Sequence, residues 1–252
     1  MTETTPPTPS NTLVPLEKYL KTGAHIGTRF KTGDMGRYIF KLRKDGLKVM
    51  DVETIDNRIR AVAAFLSHYP PQRIAVVARK LYAVKPVTRF CETTGCRPIT
   101  GRFVPGMFTN PAAKEFVEPA VVFVADSEAD SQAIAEATRV RVPVIALAST
   151  SNTLKNVDLA LPINNKGRKS LALVYWLLAR EYLKHRDLIK TDEEFTATPE
   201  EFEHVAKEGE TRDEPGDGER RGFRRGGGFR REGGGRFGSY RERIPRNDQE
   251  EQ

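Results

Sequence analysis

Three of the four residues from Lys166 to Lys169 are cations, Lys166, Arg168 and Lys169, and they stand directly ahead of an apolar helical stretch. The first turn of a helix presents backbone N–H groups without intrahelical partners, so anions are favoured there and cations are not. Cations gathered at that end read as a phosphate site, with Asn164 and Asn165 leading into it. The bland alternative is a solvated helix start. The run KGRKS (166–170) follows a short β-prone segment, and in doubly wound sheets ligands gather at the carboxyl ends of strands.

Two further segments combine cations with aromatics. GRFVPGMFTN (101–110) offers Arg102, Phe103 and Phe108 around a Pro105-Gly106 turn. A rigid loop of this kind can grip a nucleic-acid backbone and stack on a base, although Phe103 and Phe108 would serve equally as core. GAHIGTRFKTGDMG (23–36) carries four glycines with Arg29 and Lys31, at a spacing that matches neither common phosphate-loop signature. His25 has no acid, nucleophile or second histidine at motif spacing, so a structural role is expected. Cys91 and Cys96 match no disulfide framework or zinc pattern and should be reduced and unligated. No catalytic or metal-binding residue and no cofactor is expected.

The last 61 residues have a different chemistry. From position 192 onward there are 12 Lys/Arg against 17 Asp/Glu, so the whole-chain charge of +7 leaves +12 on residues 1–191. An acidic block (192–219) precedes an arginine- and glycine-rich one that carries Arg220, Arg221, Arg224, Arg225, Arg230 and Arg231 among phenylalanines. Guanidinium groups neutralise phosphates and aromatics stack on bases, so this tail suits single-stranded RNA; a merely solubilising tail is the alternative. With few aliphatic residues, 191–252 is expected to be disordered, as is the Pro/Thr-rich arm 1–12.

The elements that must position these loops lie between Leu13 and about Ile189. Residues 74–78, 121–124, 142–147 and 159–161 read as buried strands. Helical periodicity separates them, from Thr54 (as a cap) through Leu66, through Leu81 to Cys91 with Gly95 as stop, around Ile134, and from Leu171 to Tyr182. On that last stretch Leu171, Val174, Tyr175, Leu178 and Tyr182 form one stripe, with Arg180, Glu181, Lys184 and Arg186 facing elsewhere. Strands apolar on both faces and alternating with helices require a parallel sheet covered on both sides. Asp45-Gly46 between two β-prone runs predicts a peripheral hairpin within 38–52. The fold class is therefore α/β, a doubly wound parallel sheet spanning 13–190.

A core this basic needs a polyanionic partner, nucleic acid or anionic membrane. The longest apolar runs, 120–125 and 171–179, fall far short of a membrane span of about 20 residues. The N-terminal residues have neither the basic start nor the apolar core of a signal peptide. An enzyme holding a phosphorylated substrate would need a glycine-rich loop after the first parallel strand, where Ala78, Arg79 and Lys80 stand instead. A free RNA chaperone, with the tail as its active part, is a third reading.

Five segments in order, GAHIG (23–27), YIF with DGL (38–40, 45–47), GRFVPGMFTN, EA with VPVIAL (136–137, 142–147) and VDLALPINNKGRKS (157–170), resemble the small-subunit ribosomal protein S-two family in its archaeal and eukaryotic form. The resemblance implies a flavodoxin-like domain that binds small-subunit rRNA near the head–body junction, without catalytic activity. It implies contacts with neighbouring small-subunit ribosomal proteins, with mRNA nearby, in the cytoplasmic ribosome, and neither membrane attachment nor a homo-oligomer. Its rRNA-facing residues would lie in 23–36, 101–110 and 164–170. Only residues 111–119 separate Asn110 from the next strand, so the long helical hairpin of the bacterial type is absent.

Overall fold

The computed structural model describes residues 12–205; the expectations for the N-terminal arm 1–11 and for the tail arginines Arg220 to Arg231 lie outside the described residues. Helix α1 (Leu16–Thr22) leads to a hairpin of β1 (Ile39–Leu42) and β2 (Lys48–Met50), then to α2 (Val52–Ser67). Strand β3 (Ile74–Ala78), α3 (Leu81–Thr94) and β4 (Arg97–Thr100) follow; after a long loop come β5 (Val121–Val124), α4 (Ser131–Arg139) and β6 (Val144–Ala148). Strand β7 (Leu159–Pro162) and α5 (Arg168–His185) complete the regular elements. Strands β3 to β7 form one parallel sheet in the order β4-β3-β5-β6-β7, the flavodoxin-like arrangement expected from the sequence.

Successive side chains of a strand point to opposite faces, and here both faces are buried. Val76, Phe123 and Ile145, paired across the sheet, enter a core with α2, α3 and α5. Val77, Val124 and Ala146, one residue further on, enter a second core under α4. The crossover from β4 to β5 has no helix. Phe103, Met107, Phe108 and Val117 from the 101–117 loop fill that half of the second layer instead.

Four sequence expectations need correction. The sheet has a fifth strand: β4 contains Pro98, which cannot donate to a ladder and so fits only an edge, where β4 lies. Helix α2 starts earlier than expected, with Asp51 as its cap; the Asp51 carboxylate accepts from Thr54 N at 3.2 Å and Thr54 Oγ1 at 2.6 Å. Helix α5 is buried all round rather than along one stripe, and Arg180 and Glu181 are only 5% and 6% exposed. The cause is the fourth correction: the fold continues beyond 190.

Residues 192–204 make two short 3-10 turns that lie against α5 and α3. Phe202 is fully buried, Trp176 Nε1 donates to Ala197 O at 2.6 Å, and Thr198 with Glu201 forms a capping box. Asp192 pairs with Arg180 at 3.2 Å, and Arg180 also donates to Leu13 O at 2.9 Å, so both chain ends of the domain meet on α5. Asp192 answers the buried Arg180 and Glu201 the partly exposed Arg89, and composition alone misread these acids as the start of a tail.

Cys91 and Cys96 are buried free thiols, and burial pushes both above the usual thiol range, Cys96 to about 11. Among the described residues no helix is long and apolar enough to cross a membrane, and no group of three or more His, Cys, Asp or Glu residues could hold a metal ion.

Candidate nucleic-acid interface

The 23–36 segment belongs to the carboxyl end of the sheet although it precedes every strand of it. Thr28 N donates to Thr150 Oγ1 at 2.8 Å, Thr32 N to Thr150 O at 3.0 Å and Thr32 Oγ1 to Asn152 O at 2.7 Å. These bonds lace it onto the loop that leaves β6. Gly27 makes the close approach: a Cβ there would stand 2.4 Å from Thr150 Cγ2. His25 Nδ1 lies 3.3 Å from Tyr19 O. Arg29 and Lys31 are left exposed.

The loop after β7 joins the same edge. Asn164 N donates to Ala24 O at 2.9 Å and Asn164 Nδ2 to Gly23 O at 3.1 Å, while Asn164 Oδ1 accepts from Lys166 N at 3.1 Å. Asn165 is 1% exposed and donates to Asn152 Oδ1. The two asparagines thus hold the loop in shape, with Asn165 directed into the protein. Lys166, Arg168 and Lys169 are exposed, Gly167 caps α5 without a side-chain bond, and Arg168 and Lys169 occupy the first helical turn. Arg29 and Lys31 therefore share one sheet edge with Lys166, Arg168 and Lys169, which lie at least 135 positions further along the sequence.

Arg102 sits elsewhere on the same end. It follows β4, whereas 164–170 follows β7, and these are opposite edges of a five-stranded sheet. Four interstrand steps separate them, about 19 Å at the usual spacing. The aromatics expected to stack on bases from this loop do not face out: Phe103 and Phe108 are 7% and 3% exposed and touch each other with ring centroids 5.0 Å apart. A buried carboxylate shapes the loop. Glu136 accepts from Gly106 N at 2.7 Å, Phe108 N at 3.2 Å and Gln132 Nε2 at 2.9 Å. Glu136 lies in the EA segment, but its role depends on partners 28 and 30 positions away that no local pattern displays.

Between the two edges lies the crevice where β3 and β5 diverge, the place at which doubly wound proteins bind ligands. Here a side chain fills it. Asp130 accepts from Arg79 N at 3.0 Å and from Asp126 N at 3.1 Å, occupying the backbone donors an incoming anion would use. Lys80 pairs with the Asp126 carboxylate, which also accepts from Asn152 Nδ2 at 2.8 Å. Burial, with the Asp126 charge next in size, pushes the Asp130 carboxyl up to about 7. The crevice is closed by the protein's own acids, and the exposed cations stand around it.

The sequence reading also missed an open cleft of about 650 Å³ beside β7, lined by Arg37, Arg58 and Lys155. Its acids are engaged by backbone, Asp34 accepting from Leu154 N at 3.1 Å and Asp158 from Val144 N at 2.8 Å.

The model of the family described as ribosomal protein S2 matches residues 112–184. The small ribosomal subunit protein uS2 of Staphylothermus marinus is 51% identical over 191 residues, covering 76% of this chain and 87% of the relative. The uS2 proteins of Ignicoccus hospitalis and Korarchaeum cryptofilum are 50% and 47% identical, over 77% and 75% of this chain and 93% and 88% of theirs. Identity of this extent, over the same domain whose loops converge on one cationic sheet edge, leaves one assignment: the chain belongs to the uS2 family of small ribosomal subunit proteins, in its archaeal form.

Proposed function

We propose that this chain binds small-subunit rRNA through the cations at the carboxyl end of its sheet, Arg29, Lys31, Lys166, Arg168 and Lys169 on one edge and Arg102 on the other, and that adjoining surfaces meet neighbouring ribosomal proteins. Members of the family are structural, non-enzymatic constituents of the ribosome. The observation that supports the reading is the lacing of 23–36 onto the loops after β6 and β7, which brings together loops that carry sequence-distant cations. Phosphates suit this edge, because the α5 N-terminus adds its unpaired N–H groups to the cations. A nucleotide-binding enzyme is disfavoured by Asp130, which fills the crevice such an enzyme would need open. The arginines Arg220, Arg221, Arg224, Arg225, Arg230 and Arg231 would add contacts of their own to RNA, mRNA included, on their chemistry alone.

Full-length protein with Lys166, Arg168 and Lys169 changed to alanine tests this. Phosphate contacts position without reading sequence, so affinity should fall alike for every RNA tested. The slope of log affinity on log salt should flatten by roughly 0.7–0.9 per lost contact, about 2 to 3 in total. Incorporation into small subunits at wild-type efficiency with an unchanged slope would refute the assignment of this edge.

A further inference from the structure

We infer that the β1–β2 hairpin, with Phe30 beside its tip, is a stacking platform for unpaired RNA bases that adjoins the phosphate-binding edge proposed above at Arg29 and Lys31. The inference rests on that reading in taking RNA as the ligand. The first observation is exposure. Phe30 is 77% exposed, Phe40 74% and Leu42 60%, the last two on a paired strand. Folding gives no reason for two rings and a leucine to stand in water on the hairpin and the segment paired to it, and apolar exposure of this kind marks a binding surface.

The second observation is how the backbone gathers them. Strand β2 pairs with β1 on one side, Lys41 opposite Val49 and Leu42 opposite Lys48. On its other side Ile26 bridges Val49, Lys48 N donates to Thr28 O at 3.2 Å and Gly27 N to Lys48 O at 2.8 Å. The hairpin is therefore the outer part of a three-stranded ribbon whose third member runs directly into Arg29 and Phe30. At the turn, Gly46 adopts φ +82° and closes a bond from its N–H to Arg43 O at 3.0 Å, which sets the tip beside the Arg29 side chain. A shift in register between Ile39 and Lys41 marks a bulge at Phe40, and bulges re-aim side chains.

Charge decides the class of partner. Positions 29 to 48 hold seven cations against two acids. Both acids are engaged: Asp34 accepts from Leu154 N at 3.1 Å and Asp45 pairs with Arg43 at 3.2 Å. Cores of protein–protein interfaces are poor in lysine, whereas exposed rings interleaved with Lys and Arg are how proteins hold single-stranded nucleic acid. Duplex RNA buries its base faces within the stack, so rings of this kind favour unpaired bases.

The test uses the full-length chain and a twelve-nucleotide uridine RNA, crosslinked by ultraviolet light and mapped by mass spectrometry. Crosslinks should fall on the peptides that contain Phe30 and Phe40, and a twelve-pair RNA duplex should compete poorly for them. Phe40→Ala should reduce crosslinking at the Phe30 peptide about tenfold, from the loss of one base–ring stack. Phe40→Trp should keep it, and Phe40→Leu, apolar without a ring, should lose it like alanine. Because Phe40 is exposed, every variant should melt within about 2 °C of wild type. Equal competition by duplex, full retention in Phe40→Leu, or a dimer abolished by Phe40→Ala would overturn the platform. The phosphate edge is judged separately with the triple alanine variant: an unchanged salt slope with the Phe30 and Phe40 crosslinks in place means that the edge has failed, and a flattened slope with those crosslinks absent from wild type means that the platform has.

Discussion

Two segments of this protein look alike on paper and meet opposite fates at one end of the sheet. Residues 101–110 and 23–36 are both glycine-punctuated loops with arginine next to phenylalanine. In the first, Phe103 and Phe108 turn inward while Arg102 stays outside; in the second, Phe30 is the most exposed large apolar side chain among the described residues. The difference lies in what each segment has beneath it. The β4–β5 crossover has no helix, so the sheet face under it must be covered, and the loop supplies the cover with Glu136 anchoring its backbone. The 23–36 segment is held by hydrogen bonds to β2 and to the β6 and β7 loops, with no such face left to cover. A cation beside an aromatic thus reports nothing until the layer behind it is known.

The largest expected effect sharpens this contrast. Phe108→Ala should cost about 4 kcal/mol, because it opens a cavity where Phe103, Val77 and α4 meet. Phe30→Ala should change stability by no more than about 0.5 kcal/mol. Urea unfolding of both variants checks the pair; equal costs would erase the distinction between cover and exposed loop.

The next effect concerns Asp130, which stands immediately ahead of α4 and fills the crevice between the two loops. Its folded carboxyl sits at about 7, above an unfolded value of 3.8. A raised value means that the folded state keeps a proton the unfolded chain releases. The stabilisation is full below pH 4 and is lost as pH rises through 7. Between pH 5 and 7 stability should therefore fall, by up to about 3 kcal/mol at 1.36 per unit. Asp130→Asn should flatten that slope in unfolding series at pH 5, 6 and 7. A slope that survives the substitution assigns the proton elsewhere.

Much of this fold was legible because local pattern and global role agree. The runs IAVVA, VVFV and VIALA are apolar on both faces and became the strands buried on both faces. What stayed hidden was set by remote partners. Strand β4 is half polar and carries Pro98, and only the edge position makes sense of it. Arg180 and Glu181 read as a solvated face until Asp192 and the turns after it are placed over them. At the interface, the exposed cations at 29, 31, 102 and 166–169 could be picked from loop chemistry, whereas Asn165, Glu136 and Asp130 act through partners that sequence spacing does not reveal.

The same lesson sets the third expectation, at the boundary that composition misplaced. A chain ending at 190 loses Phe202, the Ala197 carbonyl that caps Trp176 and the acid that pairs with Arg180. Compared with a chain ending at 205, it should be less stable by about 2 kcal/mol, the order of uncovering one large apolar side chain together with a buried charge left short of a partner. Equal stability would return residues 191–205 to the tail.

The smallest of the four effects probes the anchor itself. Glu136→Gln preserves the size of the side chain but replaces one acceptor oxygen with a donor. Glu136 now meets two backbone N–H groups and one side-chain amide, all donors. Glutamine can satisfy one of the two N–H groups through its remaining oxygen, and its own amide then faces the other. The cost should be about 1–2 kcal/mol, that of one buried donor left unpaired. The loss should be local: amide exchange at Gly106 and Phe108 should quicken while amides of the 23–36 segment keep their protection. If both segments loosen together, the two loops are one cooperative unit, and the layer beneath each no longer explains their opposite fates.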